Sequence, residues 1–255
     1  MNALPHRLDR TISIEASPEA VFRFFTDSSR WATWWGPGST IDPRPGGRMY
    51  IRHPNGIETV GEVLEVAPPE RIVFTYGYAS GKPIPPGASR VTINLEPESG
   101  GTRVCLEHEF AEASDRDQHV QGWRFQLSLF ANVVANEVHA GASGLVDAWY
   151  AAWAEPNEQK RLEVLGKIAR PDIRFRDQYS LLEGLPDLTA HIGASLRFMP
   201  GFRLEKRGVL RHCQGTALSD WAVLGADGKE TWNGTSVFQL SADTRIAAVT
   251  GVRNP

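Results

Sequence analysis

Between about residues 40 and 110 the chain alternates apolar and polar side chains with a period of two, and from Ser114 onward the period changes to three and four. That switch constrains the fold more than any other feature, because a period of two puts every second side chain on one face of a strand, whereas steps of three and four line one face of a helix. Turn signals at Pro45-Gly46-Gly47, Pro54-Asn55-Gly56, Pro68-Pro69 and Ser99-Gly100-Gly101 divide the alternating stretch. The pattern predicts an antiparallel meander. Ile72, Phe74, Tyr76 and Tyr78 share one face, as do Val91, Ile93 and Leu95 on the next strand, and Val104, Leu106, His108 and Phe110 on the one after. These are expected to form the inner face. Ser114 is then read as the cap of a long helix with Val120, Trp123, Leu127, Phe130 and Val134 in one stripe, wide enough to lie across the sheet.

Before the meander, a strand is expected around Arg7 to Glu15, followed by a helix start at Ser17-Pro18-Glu19. Serine caps the first turn, proline suits the first helical position, and glutamate complements the positive end of the helix dipole. Val21, Phe24 and Phe25 give that helix an apolar face ahead of a cluster formed by Trp31, Trp34 and Trp35.

Ser17-Pro18-Glu19, Trp34-Trp35-Gly36-Pro37, Arg44-Pro45-Gly46-Gly47-Arg48, Gly61-Glu62-Val63, Pro68-Pro69-Glu70-Arg71, Gly101-Thr102-Arg103 and Gly122-Trp123 follow one another in fixed order. That ordered set, over residues 8 to 139, resembles the activator of heat-shock protein 90 ATPase homologue family of the START-like (SRPBCC) superfamily. The resemblance implies a helix-grip fold, a curved sheet holding a long C-terminal helix with an apolar cavity between them. Activity does not follow, since one fold hosts many functions.

A small-residue break at Ala140-Gly141-Ala142-Ser143-Gly144 is read as the domain boundary, giving domains 1–142 and 143–255. In the second, helical spacing is expected over 145–154 and again after Asn157, with Pro171 stopping the second helix. A strand at 173–179, a helix near 186–198, and strands at about 202–211, 214–225, 230–241 and 245–253 complete an ααβαββββ order. Tyr150-Ala151-Ala152-Trp153, Arg170 to Asp177, Met199-Pro200-Gly201-Phe202, Trp221, Gly234-Thr235 and Arg245-Ile246 resemble the SnoaL-like branch of the nuclear transport factor 2-like superfamily. The expected fold class is therefore α+β, a helix-grip domain followed by a cone-shaped α+β barrel.

Chemistry in the second half centres on Asp177. It shares a strand face with Ile173 and Phe175, so it points into an apolar cavity if Phe175 does, where desolvation would raise its pKa and make it a useful base. In the isomerase relatives the matching aspartate abstracts a proton beside a carbonyl, and the resemblance implies a similar role here. The competing reading is that Asp177 caps the turn after its strand or pairs with Arg174 or Arg176. The oxyanion-donating tyrosine of those enzymes falls near Tyr150, and their second oxyanion acid matches Ser236, a weaker donor. His212 is a candidate for a further polar contact, and alternation allows only one of Asp220 and Trp221 to face the cavity. His191 is read as a surface or capping residue.

Candidate ligand-binding residues are Trp35, Phe74, Tyr76, His108 and Trp123 in the first half and Phe175, Trp221, Trp232, Ser236 and Phe238 in the second. A large aromatic is more often core than recognition surface, and His108 more often a satisfied buried residue than a ligand. The aromatic lining nonetheless selects a flat, apolar occupant.

Several classes fall away. The net charge is −3, with 13 basic against 17 acidic residues up to residue 142 and 14 against 13 beyond, and no basic run, so nucleic acid is not an expected partner. Cys105 and Cys213 stand alone and the seven histidines are scattered, so no metal and no cofactor are expected. The stretch from Gly77 to Lys82 is one residue too short for a phosphate-binding loop, and no Gly-x-Ser-x-Gly elbow occurs. Without a membrane-spanning run or a signal-peptide pattern at 1–10, a cytoplasmic protein without membrane insertion is expected.

Three functions remain: a carrier or sensor of small hydrophobic or aromatic molecules, with an apolar cavity in each domain; a cofactor-independent cyclase, isomerase or dehydratase using Asp177; and a chaperone-associated module. The first is favoured. Relatives of the second domain dimerise through their sheets, so a homodimer is also expected.

Overall fold

The computed structural model describes residues 3–255, which divide between residues 135 and 136 into two compact units. The described residues form an α+β structure with one seven-stranded sheet, one six-stranded sheet and six α-helices.

In unit 1, β1 (His6–Ile14) leads to α1 (Pro18–Phe22), where the Ser17 side chain accepts the Ala20 N–H. A 3-10 turn over Arg23–Phe25 separates it from α2 (Ser28–Trp35), capped by Asp27. The meander follows as β2 (Thr40–Ile41), β3 (Arg48–Arg52), β4 (Glu58–Ala67), β5 (Arg71–Tyr78), β6 (Ser89–Glu98) and β7 (Gly101–Phe110). Its strand order is β1-β7-β6-β5-β4-β3-β2, and every pairing is antiparallel.

Helix α3 (Ala113–Val138) starts one residue before the expected cap, so Ser114 lies inside its first turn. Trp123, Leu127, Phe130 and Val134 are buried along it, as the helical stripe requires. Phe130 meets Phe25 at 4.9 Å and Trp34 at 4.8 Å between ring centroids. Burying each such side chain is worth about 1.5–3 kcal/mol, so these contacts hold the helix to the elements beneath it.

Unit 2 runs α4 (Ala142–Ala154), α5 (Glu158–Ile168), β8 (Ala169–Arg176), β9 (Leu181–Glu183), α6 (Leu185–Phe198), β10 (Arg203–Cys213), β11 (Thr216–Leu224), β12 (Glu230–Leu240) and β13 (Ile246–Arg253). The sheet order is β10-β11-β12-β13-β8-β9, and β13 with β8 is its one parallel pairing. The short β9 was not expected. Pro171 lies inside β8 rather than at a helix stop, within the irregular stretch between the Ile246–Ala169 and Ala248–Arg174 pairs, where a missing N–H costs no ladder bond.

Trp149, Leu165, Ile173, Phe175, Leu188, Ile192, Phe238 and Val249 belong to one core. Arg161 is also fully buried there. It has no carboxylate partner among its hydrogen bonds; its guanidinium donates instead to the carbonyls of Glu155, at the end of α4, and Thr189 in α6. A cation among the last carbonyls of a helix satisfies groups that the helix leaves orphaned.

Candidate functional site

The α4 residues Trp149 and Trp153 lie one helical turn apart, and with Phe175 of β8 they form one wall of a cavity of about 280 Å³ in unit 2. Met199, Phe202, Trp221 and Trp232 also line it. Centroid separations of 5.7–6.3 Å among Trp149, Trp153 and Phe175 give an offset aromatic wall. The Arg253 guanidinium covers the Trp232 ring at 5.3 Å.

His191 of α6 packs against Trp153 and Phe175 at 5.9 Å, and its Nε2 lies 3.4 Å from Ser180 Oγ. Asp177, Gln178, Tyr179, Ser195, Ser236 and Arg253 are the other polar residues of the lining. The indole N–H of Trp153 is buried and has no hydrogen-bond partner. An unpaired buried donor costs about 1–3 kcal/mol.

Asp177 lines the cavity but is not enclosed by it. The residue is half-buried, its N–H donates to the Ser180 carbonyl, and its carboxylate accepts the Tyr179 N–H at 2.8 Å. It therefore caps the turn between β8 and β9, the competing reading of this residue. Tyr150 lies behind the wall: its hydroxyl donates to Ser219 Oγ at 3.2 Å, and burial pushes the phenol's pKa up, partly offset by hydrogen bonding to Ser219 and Ser236. Phe238 is fully buried beneath Trp149 and does not reach the cavity.

His212 is elsewhere. Its Nδ1 meets Asn136 Oδ1 at 3.1 Å in a separate pocket, so the histidine of the Asp177 cavity is His191, which the sequence reads as a surface or capping residue. Trp221 faces the cavity, while Asp220 faces out and accepts from Arg211 and Thr235.

Unit 1 has its own cavity, of about 400 Å³, walled by Trp35, His53, Tyr76, Tyr78, His119 and Trp123 with Gln118 and Gln126. This lining is more polar than expected. His119 Nδ1 donates to the Asp115 carbonyl at 2.7 Å, which leaves Nε2 to accept from Tyr78 across 3.2 Å. His53 Nε2 lies 3.1 Å from Thr59 Oγ1. Burial lowers the pKa of both histidines, and for His53 the charge of His119 adds to the effect. Burial pushes the Tyr76 and Tyr78 phenols up. The Trp35 indole N–H is buried without a partner, as Trp153's is in unit 2.

His108 and Phe74 do not line this cavity. Trp123 donates its indole N–H to His108 Nδ1 at 2.9 Å, so that nitrogen carries no proton; Nε2 then donates to Ser89 Oγ at 2.9 Å, whose own hydrogen goes to the Tyr76 carbonyl. Every polar atom of the ring is paired. Phe74 is buried against Trp31 at 5.9 Å. The sequence reading missed His53, which lies in the loop after β3, and His119, Trp153 and His191, whose only signal was an aromatic or imidazole ring within a helix.

Among the described residues no helix is long and apolar enough to cross a membrane, and no group of three or more His, Cys, Asp or Glu is arranged to hold a metal ion.

No curated protein matches the chain. Similar solved structures include a SnoaL-like family protein from Agrobacterium tumefaciens, 24% identical, covering 47% of this chain and 99% of its own, with a TM-score of 0.43. CalU16 from Micromonospora echinospora is 26% identical over 49% of this chain and 75% of its own, TM-score 0.42. The Aha1 dimer from Colwellia psychrerythraea is 21% identical over 49% and 92%, TM-score 0.43. Residues 15–135 of this chain match the model of the family described as Activator of Hsp90 ATPase homolog 1-like protein.

Proposed function

We propose that this protein binds a small, flat, largely apolar molecule in the tryptophan-lined cavity of unit 2, as a carrier or sensor. The observation that carries the reading is the unpartnered Trp153 N–H in a wall otherwise made of Trp149, Phe175, Trp221 and Trp232. Such a site selects an aromatic ligand with an acceptor oxygen or nitrogen on its edge. At about 280 Å³ the cavity is near the lower end of small-molecule pockets, which begin at about 300 Å³.

In this reading unit 1 is a helix-grip domain and unit 2 a cone-shaped, nuclear transport factor 2-like domain. Support comes from the antiparallel meander with α3 and from the three helices with the six-stranded order β10-β11-β12-β13-β8-β9. The unit 1 cavity takes a more polar occupant than the apolar one expected, since His53, Tyr78 and His119 line it. A homodimer belongs to the proposal, with exposed Leu181, Val209 and Val252 supplying apolar surface on the unit 2 strands.

A second reading is proton-transfer catalysis in the same cavity, favoured by Asp177 lining it beside His191 and Ser180. Native mass spectrometry of freshly purified protein, with denaturing extraction of any retained molecule, separates the two. A carrier retains a stoichiometric apolar ligand that persists in Asp177→Asn and weakens in Trp153→Phe. An enzyme loses turnover of that molecule in Asp177→Asn while still binding it. A ligand-free mass, together with no saturable tryptophan quenching by 2-naphthol, overturns both.

A further inference from the structure

A pocket of unit 2 apart from the aromatic cavity holds two histidines. His139 follows α3 and is 4% exposed; His212 lies near the end of β10, and their ring centroids are 5.4 Å apart with planes at 74°. The hydrogen bonds fix both tautomers. His139 Nε2 is 3.2 Å from the Ser241 carbonyl, which only accepts, so the proton is on Nε2 and Nδ1 keeps its lone pair. His212 Nδ1 is 3.1 Å from the Asn136 amide oxygen, so its proton is on Nδ1 and the lone pair on Nε2. His139 Nδ1 and His212 Nε2 are both buried and both without a partner.

Burial lowers the proton affinity of both rings, and protonation of His139 would lower that of His212 further. Two neutral imidazoles, each anchored through its N–H by an oxygen and each with a buried lone pair, reproduce the outer-shell arrangement of metal-bound histidine. The spacing fits as well: imidazoles bound to one tetrahedral zinc at about 2.0–2.1 Å place their ring centroids roughly 5 Å apart. Lys206, in the same pocket, has its charge matched by Asp147 at 2.6 Å.

We propose that His139 and His212 form a two-histidine site for a divalent transition metal of the zinc, nickel or copper type. Imidazole donors suit those ions and not calcium or magnesium. Two protein ligands leave the remaining positions to water or an exogenous donor, and Ser143 lines the same pocket.

The test is isothermal titration of metal-free, tag-free full-length protein with zinc, nickel and copper chlorides, beside His139→Ala, His212→Ala and His191→Ala. One ion per chain should bind, weakened about tenfold or more in either of the first two variants and unchanged in His191→Ala. Zinc should also raise the unfolding temperature of the wild type but not of His212→Ala. Electron paramagnetic resonance of the wild-type copper complex should show two coupled nitrogens, a readout that needs no variant to fold. No saturable binding, binding indifferent to both histidines, or a copper signal without two nitrogens overturns the proposal.

Discussion

The indole N–H of Trp123, on α3, donates to Nδ1 of His108, on β7, across 2.9 Å in a fully buried environment. One bond thereby joins the long helix to the sheet and fixes the tautomer of a histidine that also reaches Ser89 and, through it, β5.

Trp123→Phe removes the donor while keeping most of the ring, and leaves His108 Nδ1 buried and unpaired. Orphaning such an acceptor costs about 1–3 kcal/mol. The urea midpoint of unit 1 should fall accordingly with an unchanged slope; a midpoint equal to the wild type's would mean that the bond contributes nothing.

Acid should weaken unit 1 before its carboxylates titrate. Burial holds His108 well below the usual imidazole value, with the nearby His119 adding to the effect, and it lowers His119 and His53 as well. Because the unfolded chain binds protons more tightly than the folded one, the stabilisation is fully present above about pH 6.5 and declines as pH falls through 6.5 toward the depressed folded values. For His108 the limiting slope is about 1.4 kcal/mol per pH unit. Urea unfolding at pH 7.0, 6.0 and 5.0 checks the trend, and the His108 ring proton resonance should not titrate across that range. Flat stability from pH 7 to 5 would refute it.

Arg161 predicts a different dependence. Its replacement by Met frees the carbonyls of Glu155 and Thr189, and hydrogen bonds from charged donors are worth about 1.5–3 kcal/mol. Unit 2 should lose roughly that much in chemical unfolding. Gly193→Ala should act on the same contact, since a Cβ there would lie 2.6 Å from the Arg161 Nη2 atom. The two effects should be strongly non-additive in the double variant.

Local order was legible where one period governed a whole element. The alternation places Ile173 and Phe175 on one face of β8 and points on to Asp177 just past its end, and Phe175 and Asp177 both line the cavity. The same rule separates Trp221 from Asp220. It does not say how deep a residue sits: Phe238 has the right face but is covered by Trp149, and Asp177 has the right face but lies where the β8–β9 turn takes up its carboxylate. Those outcomes depend on elements far apart in sequence. His119 shows the limit from the other side. On the helical stripe it reads as an interruption, and only the pairing of β5 with its neighbours brings Tyr78 within 3.2 Å of it. Likewise His139 and His212 are separated by most of unit 2, so no ligand spacing could be seen.

Gly234 is the position where fold and cavity are most directly coupled. On β12 it stands opposite Trp221 of β11, and a Cβ added there would lie 2.1 Å from the Val252 carbonyl oxygen and 2.5 Å from Cζ2 of Trp221. The carbonyl is fixed by the β12–β13 ladder, whereas the indole can turn. Gly234→Ala should therefore do two separable things: destabilise unit 2 by about 1–3 kcal/mol through overpacking, and displace Trp221 from the cavity wall. A cavity ligand should bind more weakly by more than the stability loss explains. In a Trp221→Ala background the indole part of the penalty disappears and the carbonyl part stays, so the Gly234→Ala cost should shrink without vanishing. An unchanged cost in that background would show that Trp221 is not what the glycine makes room for.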